Sequence, residues 1–246
     1  MININITRHV VAGKREFALH IQLESQGRRI ALFGPSGAGK TLTVQAIAGL
    51  MRPDGGHIRV GGITLYDDQQ GICLPPQQRR LGYLQQDYGL FPHLTVGQNI
   101  SFGLKRGWLN PGRNSLPASA RRWVQAFELE PVLQSYPSEI SGGQKQRTAL
   151  ARALSVDPRL LLLDEPLSAL DTGLRRRMRE ELAGLQARLQ IPTVLITHDP
   201  EDAMALADEV HLIEDGRITG ICSPSALIEK GYASTPSMTL DALKTA

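Results

Sequence analysis

The sequence predicts an α/β fold in which a mostly parallel sheet carries an antiparallel β edge and an inserted helical subdomain. Residues 160–163 form a continuous apolar run, which suits a strand covered on both faces, and 192–197 reads as another buried strand. Residues 2–6 and 17–23 instead alternate apolar and polar side chains, as expected of an antiparallel edge. Between 87 and 157, Pro and Gly interrupt short helical patterns, and this texture predicts the insertion.

Composition narrows the class of protein before any motif is considered. The 246 residues are 41% hydrophobic and 21% charged, which is typical of a globular protein with a sizeable core. The net charge of +3 comes without a basic block, so it argues against a nucleic-acid partner. Cys73 and Cys222 have no metal-ligand spacing and are predicted to be reduced thiols. No apolar run is long enough to span a bilayer, so a membrane role would need a partner.

The first motif along the chain is a glycine-rich loop that predicts a nucleoside triphosphate site. Residues 29–33 read as a buried strand and 42–48 as a helix, which is the context a phosphate-binding loop requires. A glycine-rich turn with a chance lysine is the alternative, and it does not account for both flanks. The loop and its first helical residues are Gly34, Pro35, Ser36, Gly37, Ala38, Gly39, Lys40 and Thr41. Its backbone amides should cradle phosphates, with Lys40 on the β- and γ-phosphates and Thr41 on Mg²⁺. The fold class is therefore a P-loop NTPase core of the RecA-like type.

Short strands and then helices follow the loop. Residues 57–66 contain two alternating segments around Gly-Gly, which indicates a hairpin, and 80–84 reads as one more strand. Residues 105–119 are rich in Gly, Pro, Asn and Ser and predict a surface loop, and 121–129 predicts a helix. A further helix is expected to begin near 131–133.

A second glycine-containing segment opens a helix that should run to Leu154. Ser141 is a plausible N-cap, and Gly142 and Gly143 would let another group approach the helix start closely, just before Gln144. A helix N-terminus carries partial positive charge, so this is a possible anion site. The alternative is an ordinary capped helix after a turn.

Two carboxylates follow the apolar run 160–163. The carboxyl end of a parallel strand is where α/β proteins place their sites, and Asp164 is there positioned to hold Mg²⁺. Glu165 could orient or deprotonate an attacking water. The alternative is that these are two surface acids that happen to follow a core strand. The phosphate-binding loop at 34–41 argues against that alternative.

The remaining elements complete an alternating α/β pattern. Leucines and a methionine at helical spacing between 174 and 189 mark one face of a long helix, and its arginines (Arg175, Arg176, Arg177 and Arg179) are interpreted as a solvated face. His198 ends the strand 192–197, where it could sense a γ-phosphate, although a lone histidine is usually structural. Asp199 and Pro200 start a helix, residues 210–219 form a hairpin, and 224–230 predicts a short helix.

Taken together, these motifs resemble the ATP-binding subunit of an ABC transporter, from the first strands to about residue 222. Gly34–Thr41 is similar to the Walker A loop and Leu160–Glu165 to the Walker B strand. Gln86 is similar to the Q-loop glutamine, with Gln85 as the alternative, because the residues that follow align better with Gln86. The remaining similarities are Ile140–Gln144 to the signature motif, with Ile in place of Leu, Ser168–Asp171 to the D-loop, and His198 to the switch histidine.

The resemblance implies an ATPase that uses ATP and Mg²⁺ and works as a homodimer. It implies catalytic roles for Glu165, His198 and Gln86, and Mg²⁺ ligation by Thr41, Gln86 and Asp164. It also implies that Ser141, Gly142, Gly143 and Gln144 act in trans on ATP bound by a second copy, with Asp171 in the D-loop. Integral membrane permease subunits and, indirectly, a periplasmic or extracellular solute-binding protein are the implied partners, at the cytoplasmic face of the inner membrane.

The resemblance also suggests a division of the chain. Residues 1–86 and 158–222 would form the nucleotide-binding core, 87–157 the helical signature subdomain, and 223–246 a short tail. The chain ends at Ala246 without the C-terminal β-rich domain of many relatives, which puts regulation by such a domain in doubt. The apolar cluster Tyr88, Leu90, Phe91 and Leu94 is a candidate docking surface for a permease, with a local core of the insertion as the alternative.

Residues 71–93 look most like the molybdate-importer branch of the family, although they do not touch a transported solute. The aromatic residue that usually stacks on adenine is not obvious, and Phe17 is the candidate. Import of another solute is the main alternative. A non-transport ABC ATPase lacks support from coiled coils, zinc modules or a second ATPase copy. A small-molecule P-loop kinase would leave 141–144 and His198 unexplained.

Overall fold

The computed structural model describes residues 1–13, 15–104, 110–113, 116–168 and 170–229. The predicted loop 105–119 and the predicted tail 223–246 therefore lie partly outside the described residues. Within them, no helix combines the length and apolar character needed to cross a lipid bilayer.

Eleven strands of the described chain form one sheet, in the order β6-β5-β4-β1-β2-β11-β10-β3-β9-β8-β7. The parallel part joins β10, β3, β9, β8 and β7, and β1, β2, β4, β5 and β6 pair antiparallel beside it. This arrangement confirms the predicted fold class and its antiparallel edge. The strands are β1 (Ile2–Ala12), β2 (Arg15–Ser25), β3 (Arg29–Phe33), β4 (Gly55–Val60), β5 (Ile63–Asp67), β6 (Ile72–Cys73), β7 (Leu81–Leu84), β8 (Leu160–Asp164), β9 (Thr193–Thr197), β10 (Glu209–Glu214) and β11 (Arg217–Cys222).

The helices connect and cover these strands. Between β7 and β8 every regular element of the described chain is helical, as the sequence predicts. They are α1 (Lys40–Ala48), α2 (Pro76–Arg79), α3 (Val96–Ser101), α4 (Ala118–Ala126), α5 (Gly142–Ser155), α6 (Thr172–Leu189), α7 (Pro200–Leu206) and α8 (Pro224–Glu229).

Helix boundaries depart from the sequence prediction in the insertion. Helix α4 begins three residues before the predicted 121, directly after Pro117, because proline is favoured at a helix start. The helix expected near 131–133 is a single 3₁₀ turn. Helix α3 was not predicted, although the capping box of Thr95 and Gln98 is a sequence signal for it.

Strand β8 has its alternate side chains in two separate cores. Leu160 and Leu162 pack in the core that contains α1, whereas Leu161 and Leu163 pack in the core formed with α5 and α6. All five residues of the strand are buried. Continuous leucines therefore mark a strand covered on both faces, and this burial carries Asp164 to the carboxyl edge of the sheet.

The candidate docking cluster is largely internal, so that prediction needs correction. Tyr88 and Leu94 are 7% and 2% exposed, and Tyr88 belongs to the hydrophobic core of the helical insertion. Leu90 and Phe91 remain partly exposed. With two of its four members buried, the cluster is better described as a local core, which was the alternative interpretation.

Candidate nucleotide-binding site

The loop between β3 and α1 has the backbone that its glycines allow. Gly37 and Gly39 have φ of 83° and 101°, in the region that favours glycine. A Cβ on Gly39 would lie 2.6 Å from Leu19 Cδ1, so this position is also closed to side chains by packing. The chain thus turns sharply into α1, with the helix N-terminus facing the open side of the loop.

The loop lysine is folded into the loop that it closes. Lys40 Nζ donates to the carbonyl oxygens of Gly34 and Pro35, each at 2.7 Å. Burial lowers the pKa of Lys40, and the nearby carboxylates of Glu165 and Asp164 act in the opposite direction. A cation is therefore held where an anionic phosphate would enter, between the loop and the end of β8.

A cavity of about 300 Å³ lies in front of this loop. Its lining joins the loop to Gln86 and Glu165, two residues that the sequence analysis placed in the site. Phe17 and Val10 of the antiparallel edge lie on the same cavity, which puts an aromatic and an aliphatic side chain beside the phosphate loop. The lining residues are Val10, Phe17, Ser36, Gly37, Gly39, Lys40, Thr41, Leu42, Gln86 and Glu165.

Oxygen donors suited to a divalent cation meet at the carboxyl end of β8. Thr41 Oγ1 lies 3.4 Å from Asp164 Oδ1, to which it donates, and Tyr83 Oη donates to Asp164 Oδ2 at 3.2 Å. Mg²⁺ is commonly held by one or two carboxylates together with substrate phosphates. Thr41 and Gln86 line the cavity and Asp164 lies directly behind Thr41, so these residues fit a metal that binds with a nucleotide.

The environment of Asp164 disfavours the ionised form of its carboxyl group. Burial raises the pKa of this carboxyl, and the hydrogen bond from Tyr83 is the largest opposing influence. Tyr83 is protonated and can donate, since burial and then the neighbouring Asp164 raise the pKa of its hydroxyl. Tyr83 therefore stabilises the ionised form of Asp164, the form that a metal ion would require. No sequence motif points to Tyr83, although its strand ends two residues before Gln86.

Replacing Tyr83 with Phe is expected to raise the Mg²⁺ concentration for half-maximal ATP turnover by about three- to tenfold, because one hydrogen bond to a charged group is lost. The measurement is a Mg²⁺ titration of turnover at fixed ATP. Tyr88→Phe is the matched control, since the Tyr88 hydroxyl has no hydrogen-bond partner within the described residues. Equal Mg²⁺ dependence in the Tyr83 variant and the wild type would contradict this role.

The other two predicted catalytic residues both contact the carboxylate of Glu165. Gln86 Nε2 donates to Glu165 Oε2 at 3.3 Å, and His198 Nδ1 lies 3.1 Å from Glu165 Oε1. Glu165 has φ of 45°, unusual for a non-glycine residue, and its N–H donates to Ile196 O at 3.0 Å. The backbone thus turns out of β8 at Glu165 and aims its side chain at the cavity, between the ends of β7 and β9.

The segment 141–144 lies outside the cavity of its own chain. Ser141 Oγ accepts from Gln144 N, and Gln144 Oε1 accepts from Ser141 N, so the two residues form the predicted cap of α5. Neither Gly142 nor Gly143 has positive φ among the described residues, and a Cβ on Gly142 would meet Leu170 Cδ2 at an ordinary 3.6 Å. Asp171 likewise caps a helix, because its Oδ1 accepts from Leu174 N at 3.1 Å.

The fold is that of a P-loop NTPase, and its glycine-rich loop, Asp164 and Glu165 meet at one edge of the sheet. The ABC transporter family model matches residues 19–168, and the chain belongs to this family.

Similar proteins include import ATP-binding proteins with three different cargo names. The chain is 41% identical to the sulfate/thiosulfate import ATP-binding protein CysA of Nephroselmis olivacea, over 88% of this chain and 61% of that protein. It is 43% identical to the molybdenum import ATP-binding protein ModC of Mycobacterium tuberculosis, over 87% and 58%. It is 44% identical to the Fe(3+) ions import ATP-binding protein FbpC of Pseudomonas fluorescens, over 82% and 56%. The chain thus spans about three fifths of the length of these relatives.

A solved structure supports the same assignment. The chain superposes with a TM-score of 0.74 on the dimeric ATP-binding cassette MJ0796 in a post-hydrolysis state with ADP and Pi. The two sequences are 27% identical, and the match covers 91% of this chain and 99% of that one.

Proposed function

We propose that this chain is the ATP-binding and ATP-hydrolysing subunit of an ABC importer, and that two copies close on ATP. The observation that carries the proposal is Glu165, which faces the phosphate-loop cavity with one oxygen near Gln86 and the other near His198. A carboxylate so placed can orient and polarise a water beside a bound triphosphate.

Binding begins at the loop 34–39. Its amides and the N-terminus of α1 would hold the phosphates, and the Lys40 ammonium would exchange its two loop carbonyls for phosphate oxygens. Bound Mg²⁺, held by Thr41 and Asp164 with Gln86 nearby, would neutralise charge on the β- and γ-phosphates. Phe17 offers an aromatic surface for the base.

Hydrolysis would then depend on side chains that lie at or just after the ends of three strands. Glu165 activates water from the end of β8, and His198, at the end of β9, holds that carboxylate and contacts the γ-phosphate. Gln86 follows β7 and precedes the helical insertion, so it links nucleotide contact to the position of the insertion. Changes at the phosphate can thereby move a whole subdomain.

The signature residues Ser141 to Gln144 would complete the site of a second copy. Two observations support this. They cap α5 away from their own cavity, and the MJ0796 cassette with ADP and Pi is a dimer. ATP then links the two copies, and its hydrolysis releases them.

We infer that the cargo is molybdate or a related oxyanion. The likeness of residues 71–93 to molybdate importers supports this, as do relatives named for molybdenum and for sulfate/thiosulfate. The FbpC relative, named for Fe(3+), makes ferric iron the second candidate. The chain itself would sit as a peripheral subunit at the cytoplasmic face of the membrane, bound to integral permease subunits and served by a solute-binding protein.

The test is reconstitution of the chain with its permease in liposomes, followed by phosphate release and transport. Molybdate-loaded binding protein should stimulate turnover, whereas sulfate- and Fe³⁺-loaded proteins serve as the competing arms. An ATP turnover rate that does not depend on the permease would favour a non-transport ABC ATPase. Transfer of the γ-phosphate to an acceptor other than water would favour a kinase.

A further inference from the structure

Arginine 175 does not lie on a solvated face, so that sequence prediction is wrong for it. On α6, Arg176 is 82% exposed and Arg177 is exposed, as predicted, but the side chain of Arg175 is 29% exposed and that of Arg179 is 13% exposed. Both of these arginines turn toward the end of β9 rather than toward solvent. Their roles therefore need a separate explanation.

The Arg175 guanidinium holds the loop that leads from β8 to α6. Its Nε donates to Leu167 O at 3.1 Å, and its Nη2 donates to Ser168 O at 3.1 Å and to Leu170 O at 3.4 Å. These carbonyls belong to the loop that begins at Glu165 and ends at Asp171. A planar guanidinium can satisfy several acceptors with fixed geometry, which lysine cannot do.

The same guanidinium reaches across to the neighbouring strand end. Arg175 Nη1 donates to Asp199 Oδ2 at 3.3 Å. Asp199 is itself well fixed, since its Oδ1 accepts from Glu201 N at 2.8 Å and Arg179 Nη2 lies 3.6 Å from its Oδ2. Arg179 is anchored in turn by Asp202 at 2.7 Å.

Arg175 joins the loop after β8 to the end of β9, and Glu165 and His198 lie at these two positions. Glu165 opens the held loop, and His198 directly precedes Asp199. Their side chains approach to 3.1 Å between Oε1 and Nδ1. We infer that Arg175 is a positioning residue that sets the separation of Glu165 and His198, an assignment that rests on the proposed ATPase function.

Replacing Arg175 with Ala should lower kcat for ATP about 10- to 50-fold and change KM by less than about threefold, because the catalytic pair loses its spacing while the phosphate loop is untouched. Arg175→Lys should recover part of the loss, since lysine keeps the charge but not the fork. Arg176→Ala is the matched control, because Arg176 pairs with Glu180 on the exposed side of the same turn, and it should match the wild type.

A double-mutant cycle with His198→Ala separates positioning from general loss of structure. If Arg175 acts through His198, Arg175→Ala should cost less than about threefold in the His198→Ala background, by single-turnover phosphate release. Losses that multiply fully, or an Arg175→Ala kcat equal to that of the wild type, would overturn the inference. Should Arg175→Ala fail to fold in a thermal melt, Asp199→Asn replaces it in the cycle, because this change keeps the α7 cap and weakens the ion pair. A wild-type chain without ATP turnover would instead reject the proposed function.

Discussion

Glu165→Gln should lower ATP turnover by about 10²- to 10⁴-fold, because the amide cannot accept the proton of the attacking water. The change is nearly isosteric, and an amide can still hydrogen bond to Gln86 and His198 from the same backbone. The phosphate loop is unaltered, so ATP affinity should stay close to that of the wild type. Phosphate release and equilibrium binding of a fluorescent ATP analogue measure the two quantities on the same preparation.

The same variant should accumulate as an ATP-bound dimer, since the nucleotide that joins the copies is no longer consumed. Light scattering with and without ATP tests this directly. Glu180→Gln is the control, because Glu180 is 71% exposed on α6 and lies outside the cavity. If Glu165→Gln retained full turnover, Glu165 would not be the base, and the mechanism proposed for this site would fail.

Two substitutions in different parts of the shared site should each abolish ATP turnover, for different reasons. Lys40→Ala removes the cation of the phosphate loop and should abolish most ATP binding. Gly142→Asp places a carboxylate at the first turn of α5, where the helix itself favours negative charge and a Cβ has room. That carboxylate would repel a triphosphate presented by a second copy, so hydrolysis should fall by more than about 10²-fold while binding by the single chain persists.

Mixing the two inactive variants should restore activity. A mixed dimer has one site with both defects and one site with neither. With random pairing, about half of the dimers are mixed, so recovery should approach about a quarter of the wild-type rate. Gly142→Ala is the control for the added carboxylate and should lose less activity. No recovery in the mixture, with dimers present by light scattering, would contradict a shared site. Weaker ATP binding by the Gly142→Asp chain would place the signature segment in its own chain's site.

The sequence was sufficient to predict a feature where the residue type at that position has one main structural role. Gly39 needs left-handed backbone and room, Ser141 and Asp199 are caps with short-range partners, and the leucines of β8 record burial on both faces. Apart from the packing of Leu19 on Gly39, these features depend on neighbours within a few residues or on a periodicity. The phosphate loop and the strand-end carboxylates could therefore be predicted from the sequence.

The contacts that the sequence could not supply join residues far apart in the chain. Tyr83 reaches Asp164 because β7 and β8 are parallel neighbours, and strand order is not encoded in local pattern. Arg175 has three arginines nearby on the same helix, and only its contacts with the loop after β8 and with Asp199 distinguish it from the exposed Arg176. For the apolar cluster around Tyr88 the sequence left a docking surface and a local core both open, and the fold buries Tyr88.

The central claim is that the catalytic site is completed by a second copy of the chain. Its most direct measurement is the specific ATPase activity of the wild-type chain over a range of protein concentrations, with the oligomeric state recorded at each one. The account predicts that activity per chain rises with concentration and levels off once the ATP-bound dimer is saturated. Constant activity per chain down to concentrations at which every molecule is a monomer would contradict it.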